Sequence, residues 1–159
     1  MNMPPPRFSR FWHRWLPIQY RLIRLLDPLV RLQWRGFGLG NVVELQVAGR
    51  RTGRTRHVLL GLLRDEDRWF LGHPNGDVAW TRNLEAAGTG ALVFRPPATI
   101  PIRATRLEPG ELRDRAILAT GQHVFPGNLI YRMARAHIRA AGTYFLIELA
   151  SAVPEPGAD

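Results

Sequence analysis

Two apolar runs separated by a basic, glycine-punctuated octapeptide constrain this chain more than any other feature. Val42-Val43-Glu44-Leu45-Gln46-Val47 alternates apolar and polar residues, the two-residue period of a half-buried strand. His57-Val58-Leu59-Leu60-Gly61-Leu62-Leu63 is a short apolar run of strand length. Between them, Gly49-Arg50-Arg51-Thr52-Gly53-Arg54-Thr55-Arg56 carries the Thr-Gly pair of a turn, with Gly53 free to take a positive φ. The unit reads as a hairpin whose tip holds four arginines within seven positions. Guanidinium groups present fixed donors to an anion, so the tip suits a phosphate. A solvated basic turn accounts for the same residues, and the octapeptide alone leaves both readings open.

The remainder of the chain points the same way. After the charged turn Arg64-Asp65-Glu66-Asp67-Arg68, Trp69-Phe70-Leu71 reads as a strand, and His73-Pro74-Asn75-Gly76-Asp77 is a loop of breaker residues. Val78 to Ala87 reads as a helix with Trp80, Leu84 and Ala87 on one face and Asn83 beside it; Asn75 or Asp77 is placed to cap it. Ala91 to Phe94 and Ile100 to Leu107 read as strands, with Arg95-Pro96-Pro97 ending the first. Glu111 to Thr120 and Asn128 to Ala141 read as helices, and Thr143 to Leu149 as the last strand. Strands that follow one another directly argue against a doubly wound parallel sheet. The expectation is an α+β fold: five or six strands in a small barrel or sheet, with peripheral helices.

The net charge is +9, and all 22 basic residues are arginine. Residues 1–36 hold seven of them against one aspartate, so most of the excess lies there. Beyond a disordered lead from Met1 to Pro6, Phe8, Phe11, Trp12, Trp15 and Leu16 fall at helical spacing, with Arg7, Arg10 and Arg14 on another face. Pro17 interrupts, and the pattern resumes with Ile18, Leu22, Leu25, Leu26 and Leu29 against Arg21, Arg24 and Arg31. Aromatic and arginine residues on one amphipathic helix are the composition of an interfacial membrane binder; helices packed on a domain with arginine outward have it too. The organisation expected is an amphipathic helical extension over 1–36, a barrel domain over 37–152 and a tail over 153–159. No apolar run approaches the roughly 20 residues of a membrane span. Arginines interrupt every stretch that would serve as a signal peptide. The expected location is cytoplasmic, with peripheral contact at the inner face of the cell membrane as an option.

Several chemistries are closed by composition. With no cysteine there is no disulfide, thiolate nucleophile or Cys-based metal site, and with no lysine there is no Schiff base. The serines, Ser9 and Ser151, lie near the ends and do not suggest a hydrolytic triad. The octapeptide is neither a P-loop nor a dinucleotide fingerprint, since its glycine spacing differs and a strand follows it. The helix N-terminus after Asn75-Gly76 offers free N–H groups to an anion, but the Asp77 carboxylate would compete for them. Histidines at 13, 57, 73, 123 and 137 include no pair with metal-motif spacing on one element, so no metal is expected. Tyr131 and Tyr144 are candidate proton donors, or half-buried core tyrosines. The charge alone suggests nucleic acid, without a recognisable motif for it.

Taken together, the octapeptide, a glycine-containing loop and then Trp80-Thr81-Arg82-Asn83-Leu84-Glu85-Ala86 resemble the deazaflavin-dependent nitroreductase family of actinobacteria. That family's pattern is roughly G-R-[KR]-[ST]-G-x-x-R, a Gly-rich loop and W-x-x-N-L-x-A, and the resemblance covers about residues 40–150. It implies a split β-barrel of about six mostly antiparallel strands, related to the flavin-binding oxidoreductases. It also implies the cofactor coenzyme F-420, an 8-hydroxy-5-deazaflavin, with FMN the alternative used by related barrels. Arg50, Arg51 and Arg56 would hold the phosphate and acidic tail. His73, Asn75 and Gly76 would lie near the cofactor, with Trp80 and Asn83 on the helix beside it. His73, Tyr131 and Tyr144 are the candidate catalytic residues. The implied activity is hydride transfer from the reduced deazaflavin to a lipophilic acceptor such as a quinone or nitro compound. The alternative is a non-catalytic lipid- or cofactor-binding protein of the same fold, as a monomer or homodimer. The chain departs from the pattern at Leu59-Leu60, where Pro-Leu is usual, at Gly61, where a polar side chain is expected, and in its short loop His73 to Gly76.

Overall fold

The structure is a computed structural model that describes residues 7–25, 27–37, 40–94 and 98–150. The Met1–Pro6 lead, the Arg95-Pro96-Pro97 strand end and the tail over 153–159 lie outside the described residues. Seven strands, β1 (Val42–Ala48), β2 (Thr55–Gly61), β3 (Leu63–Asp65), β4 (Arg68–His73), β5 (Thr89–Val93), β6 (Thr99–Arg106) and β7 (Thr143–Leu149), form one sheet in the order β2-β1-β5-β6-β7-β4-β3. Every pairing is antiparallel. The sheet curls into a half-barrel that brings β2 against β4.

The hairpin forms as the sequence suggests, with Gln46 opposite His57 and Val47 opposite Arg56. The downstream run, however, is two strands rather than one. The chain turns a corner at Leu62, whose N–H donates to the Asn41 carbonyl at 2.8 Å and whose carbonyl accepts the Asn41 amide at 3.0 Å. Gly61 sits at that corner because the His123 ring needs the room: a Cβ there would lie 2.2 Å from the His123 Cε1. The His123 ring thus fills the space a side chain at 61 would take, and it lies 4.6 Å from that of Tyr131.

Alternation along the strands divides the core in two. Val43, Leu45, Val47, Leu71, Leu92, Ile102 and Phe145 face the barrel interior. Helix α3 (Ala79–Ala87) closes that interior with Trp80 and Leu84. Phe70 and Tyr144 point the other way, from the adjacent central strands β4 and β7. They meet Ala116 and Ile117 of α4 (Glu111–Leu118) and Ile138 of α6 (Arg135–Ala141), so these strands are buried on both faces. Full burial of a side chain like Phe70 stabilises by about 2–3 kcal/mol. Gly72 stands directly across from Tyr144, whose ring lies over it.

The helices depart from expectation in three places. Helix α1 (Arg7–Leu25) runs through Pro17, and a separate helix α2 covers Asp27–Phe37. Pro17 forfeits one N–H bond to the exposed turn at His13, which water can satisfy. Pro28 falls in the first turn of α2, where its missing N–H costs nothing. The helix expected over 128–141 divides into α5 (Gly127–Met133) and α6 at Ala134, whose ψ of 3° leaves the helical range. Finally, neither Asn75 nor Asp77 caps α3: the Thr81 hydroxyl accepts the Val78 N–H at 2.8 Å and donates to the Val78 carbonyl at 2.9 Å. Asn75 and Asp77 are engaged elsewhere.

The amphipathic α1 divides its aromatic residues. Trp12 and Leu16 are buried in the outer core against Leu63, Phe70 and Ile138, which docks α1 on the domain. Phe11 and Ile18 remain more than half exposed, at 53% and 63%, and Trp15 at 39%.

Candidate functional site

The octapeptide is a closed loop rather than a loose tip. The Gly49 N–H donates to the Arg54 carbonyl at 2.9 Å, and the Gly49 carbonyl accepts from Gly53 at 2.7 Å and Thr52 at 3.2 Å. Gly53 takes φ +65°, a conformation that favours glycine. Asn83 fastens this loop to α3: its buried carboxamide oxygen accepts the Arg50 backbone N–H at 3.3 Å and the Arg50 guanidinium at 3.4 Å. One side chain therefore joins two sequence motifs that are 33 residues apart.

A groove of about 670 Å³ opens beside the loop, lined among others by Arg50, Arg51, Arg56, Val58, Trp80 and Asn83. That size suits a small-molecule ligand. Arg56 shares the face of Val47 and Val58, at the rim of the barrel interior. Trp80 forms an apolar wall, packed on Phe145 at 6.1 Å. Arg51, Arg54 and Arg56 are exposed, and none has an acidic partner among the described residues. A cluster of unpaired cations is repulsive within itself, and an anion would relieve it.

The other residues singled out by sequence lie outside this groove. The His73 Nδ1 is within 3.1 Å of the Gly76 carbonyl and 3.3 Å of the Asn75 N–H, so the ring braces its own loop. Burial holds His73 below the usual histidine range, against the opposing pull of the Gly76 carbonyl and Asp77. Asn75 faces away from the octapeptide, toward His13 of α1 and His137 of α6. The Asp77 carboxylate accepts from the Thr143 hydroxyl at 2.8 Å and pairs with Arg106 at 3.2 Å. Burial would raise the Asp77 carboxyl, but the bonds from Thr143 and Arg106 outweigh it and hold it low. Tyr131 lies on α5 against His123. Tyr144 is 1% exposed in the outer core, its hydroxyl without a hydrogen-bond partner among the described residues; burial first, then Tyr131, pushes its phenol up. Of the expected set, the structure gathers Arg50, Arg51, Arg56, Trp80 and Asn83, and leaves His73, Asn75, Gly76, Tyr131 and Tyr144 elsewhere.

Glu44 escaped the sequence reading. Its carboxylate, on the opposite face of β1 from the barrel interior, is 8% exposed. It meets the His57 Nδ1 at 2.9 Å and accepts from Arg31 of α2 at 3.1 Å. Arg31 also donates to the His57 carbonyl at 3.2 Å, so α2 is clamped to the β1–β2 hairpin. Burial would raise the Glu44 carboxyl, but hydrogen bonds from His57 and Gln46 and the nearby positive charges hold it low. The available signal was an acidic residue in the middle of a strand, between apolar Val43 and Leu45.

No protein-family model matches the chain, and no curated protein matches it. Solved structures do. An F-420-dependent reductase, FDR-A, aligns with a TM-score of 0.52 at 18% identity, over 68% of this chain and 94% of that one. The fold is the split β-barrel. A heme storage protein from Vibrio cholerae, HutZ, aligns with a TM-score of 0.54 at 15% identity, over 80% of this chain and 92% of that one. A third structure, described as a domain-swapped dimer, gives 0.54 at 18% identity over 83% and 99%. This split barrel therefore has neighbours with different ligands, and the site must be argued from its own residues.

Proposed function

We propose that the groove binds the deazaflavin coenzyme F-420, and that the protein passes a hydride from the reduced cofactor to a lipophilic acceptor such as a quinone or nitro compound. The observation that carries this reading is the set of exposed guanidiniums at the groove, on a loop fixed to α3 through Arg50 and Asn83 and without acidic partners among the described residues. Arg51 and Arg56 bind the phosphate and acidic tail by charge-assisted hydrogen bonds. Arg50, held by Asn83, keeps the loop in register with α3. Trp80 and Val58 supply an apolar wall that excludes water from one side of the groove. A reduced deazaflavin bound there would supply the hydride, and the chain supplies binding and orientation.

None of His73, Tyr131 and Tyr144 lines the groove. The same observation favours a second reading, a protein that holds the cofactor without turnover. Titration of the full chain with coenzyme F-420, followed by addition of menadione to the reduced complex, separates the two. Binding followed by oxidation supports the reductase, binding without oxidation the second reading, and absence of binding overturns both.

A lipophilic acceptor partitions into membranes, and α1 suits their surface. Phe11, Trp15 and Ile18 are exposed beside exposed Arg10, Arg14 and Arg21. No helix among the described residues is long and apolar enough to cross a membrane. Replacing Phe11, Trp15 and Ile18 together by serine should abolish co-sedimentation with anionic liposomes. These positions, unlike Trp12 and Leu16, can be changed without opening the core. Unchanged co-sedimentation would end this part of the proposal.

A further inference from the structure

Three polar atoms from distant parts of the chain meet where α1 crosses α6. The Asn75 Oδ1, in the loop after β4, lies 2.9 Å from the His137 Nε2 and 3.3 Å from the His13 Nδ1. The two imidazole rings are 6.4 Å apart at 64° to each other. As hydrogen bonds, this arrangement asks one carboxamide oxygen to accept from two imidazoles at once. The two distances from the Asn75 Oδ1 also match the spacing of a ligand shell. Around an ion with bonds of about 2.0–2.1 Å to imidazole nitrogen, neighbouring donor atoms stand about 3.0–3.4 Å apart.

We propose that His13, Asn75 and His137 bind a divalent transition metal of the zinc or nickel class. Imidazole nitrogen suits these ions, and the carboxamide oxygen is a neutral third ligand. His137 is 3% exposed, held by α6 against the outer core, and provides the fixed ligand. His13 is exposed on α1 and leaves a path for the ion. Asn75 is placed by its own loop, where His73 and Gly76 brace the backbone. Among the described residues no group of three or more His, Asp or Glu is arranged to hold a metal ion, so the other coordination positions are left to water. The ion would tie α1, with its exposed Phe11 and Trp15, to the barrel through α6. It does not depend on what the groove binds.

The test is isothermal titration of the full chain with Zn²⁺ and with Ni²⁺, in the wild type, His13→Ala and Asn75→Asp. The wild type should take up one ion per chain and show a raised melting temperature with it. His13→Ala changes an exposed side chain and should weaken uptake at least about tenfold, a loss of about 1.4 kcal/mol. Asn75→Asp puts a carboxylate in place of the amide and should tighten it by a similar factor. No uptake by the wild type, or equal uptake by His13→Ala, overturns the proposal. Weaker or unchanged uptake by Asn75→Asp also overturns it, because the oxygen would then be only a hydrogen-bond acceptor.

Discussion

The octapeptide and the loop from His73 to Asp77 are both short, glycine-bearing connections at strand ends, and they dispose of their polar groups in opposite ways. In the loop the polar side chains turn inward: His73 to its own backbone, Asn75 to two histidines, Asp77 to Thr143 and Arg106. In the octapeptide backbone bonds close the loop and Asn83 holds it to α3, while the charged ends of Arg51, Arg54 and Arg56 find no acid among the described residues. Folding alone gives no reason to gather unpaired cations, since each neighbour raises the cost of the next. The loop is therefore a joint, and under the proposed function the octapeptide is the grip, although their sequences look equally suited to line a site.

Charge reversal should split the two most sharply. Arg51→Glu and Arg56→Glu each remove a charge-assisted bond worth about 1.5–3 kcal/mol and add repulsion, so coenzyme F-420 affinity should fall roughly 100-fold. Both side chains are exposed, so the melting temperature should not move. Fluorescence titration beside thermal unfolding checks this. Unchanged affinity would remove the octapeptide from the site.

Asp77→Ala should do the reverse. It orphans the buried Thr143 hydroxyl and leaves Arg106 with Glu85 at 2.8 Å, at a cost of about 1–2 kcal/mol in urea unfolding. Coenzyme affinity should stay within about twofold of the wild type, because Asp77 does not line the groove. A large loss of affinity with intact stability would return the loop to the site.

The grip was legible and the joint was not, for a physical reason. The hairpin, the turn at Gly53 and the helix carrying Trp80 and Asn83 are local patterns, read from period and turn chemistry. That Asn83 bonds Arg50 depends on how α3 crosses the barrel, which residue spacing does not encode. The same limit hides the meeting of His13 with His137, and the burial of Tyr144 across from Gly72. Expectations failed where tertiary packing overrode a local rule. Pro17 lies inside a helix, the run from His57 to Leu63 turns a corner at Leu62, and Asp77 leaves the helix N-terminus to Thr81.

Glu44 sharpens the comparison from a third side, since it is charged like the grip and paired like the joint. Its carboxyl is held low in the folded protein. A group whose folded value lies below its unfolded one stabilises the fold above the unfolded value, and that contribution is lost as pH falls through the folded value. Glu44→Gln keeps the shape and removes the carboxylate charge that Arg31 and His57 meet. The variant should be less stable than the wild type by about 1 kcal/mol near neutral pH. The gap should close below the ordinary carboxylate value of 4.5, as the wild type takes up its proton. Urea unfolding of both proteins from neutral to acidic pH measures it. Because Glu44 faces away from the barrel interior, coenzyme affinity should not follow the same curve. A gap that stays constant across that range would mean that the Arg31 clamp holds α2 by shape rather than by charge.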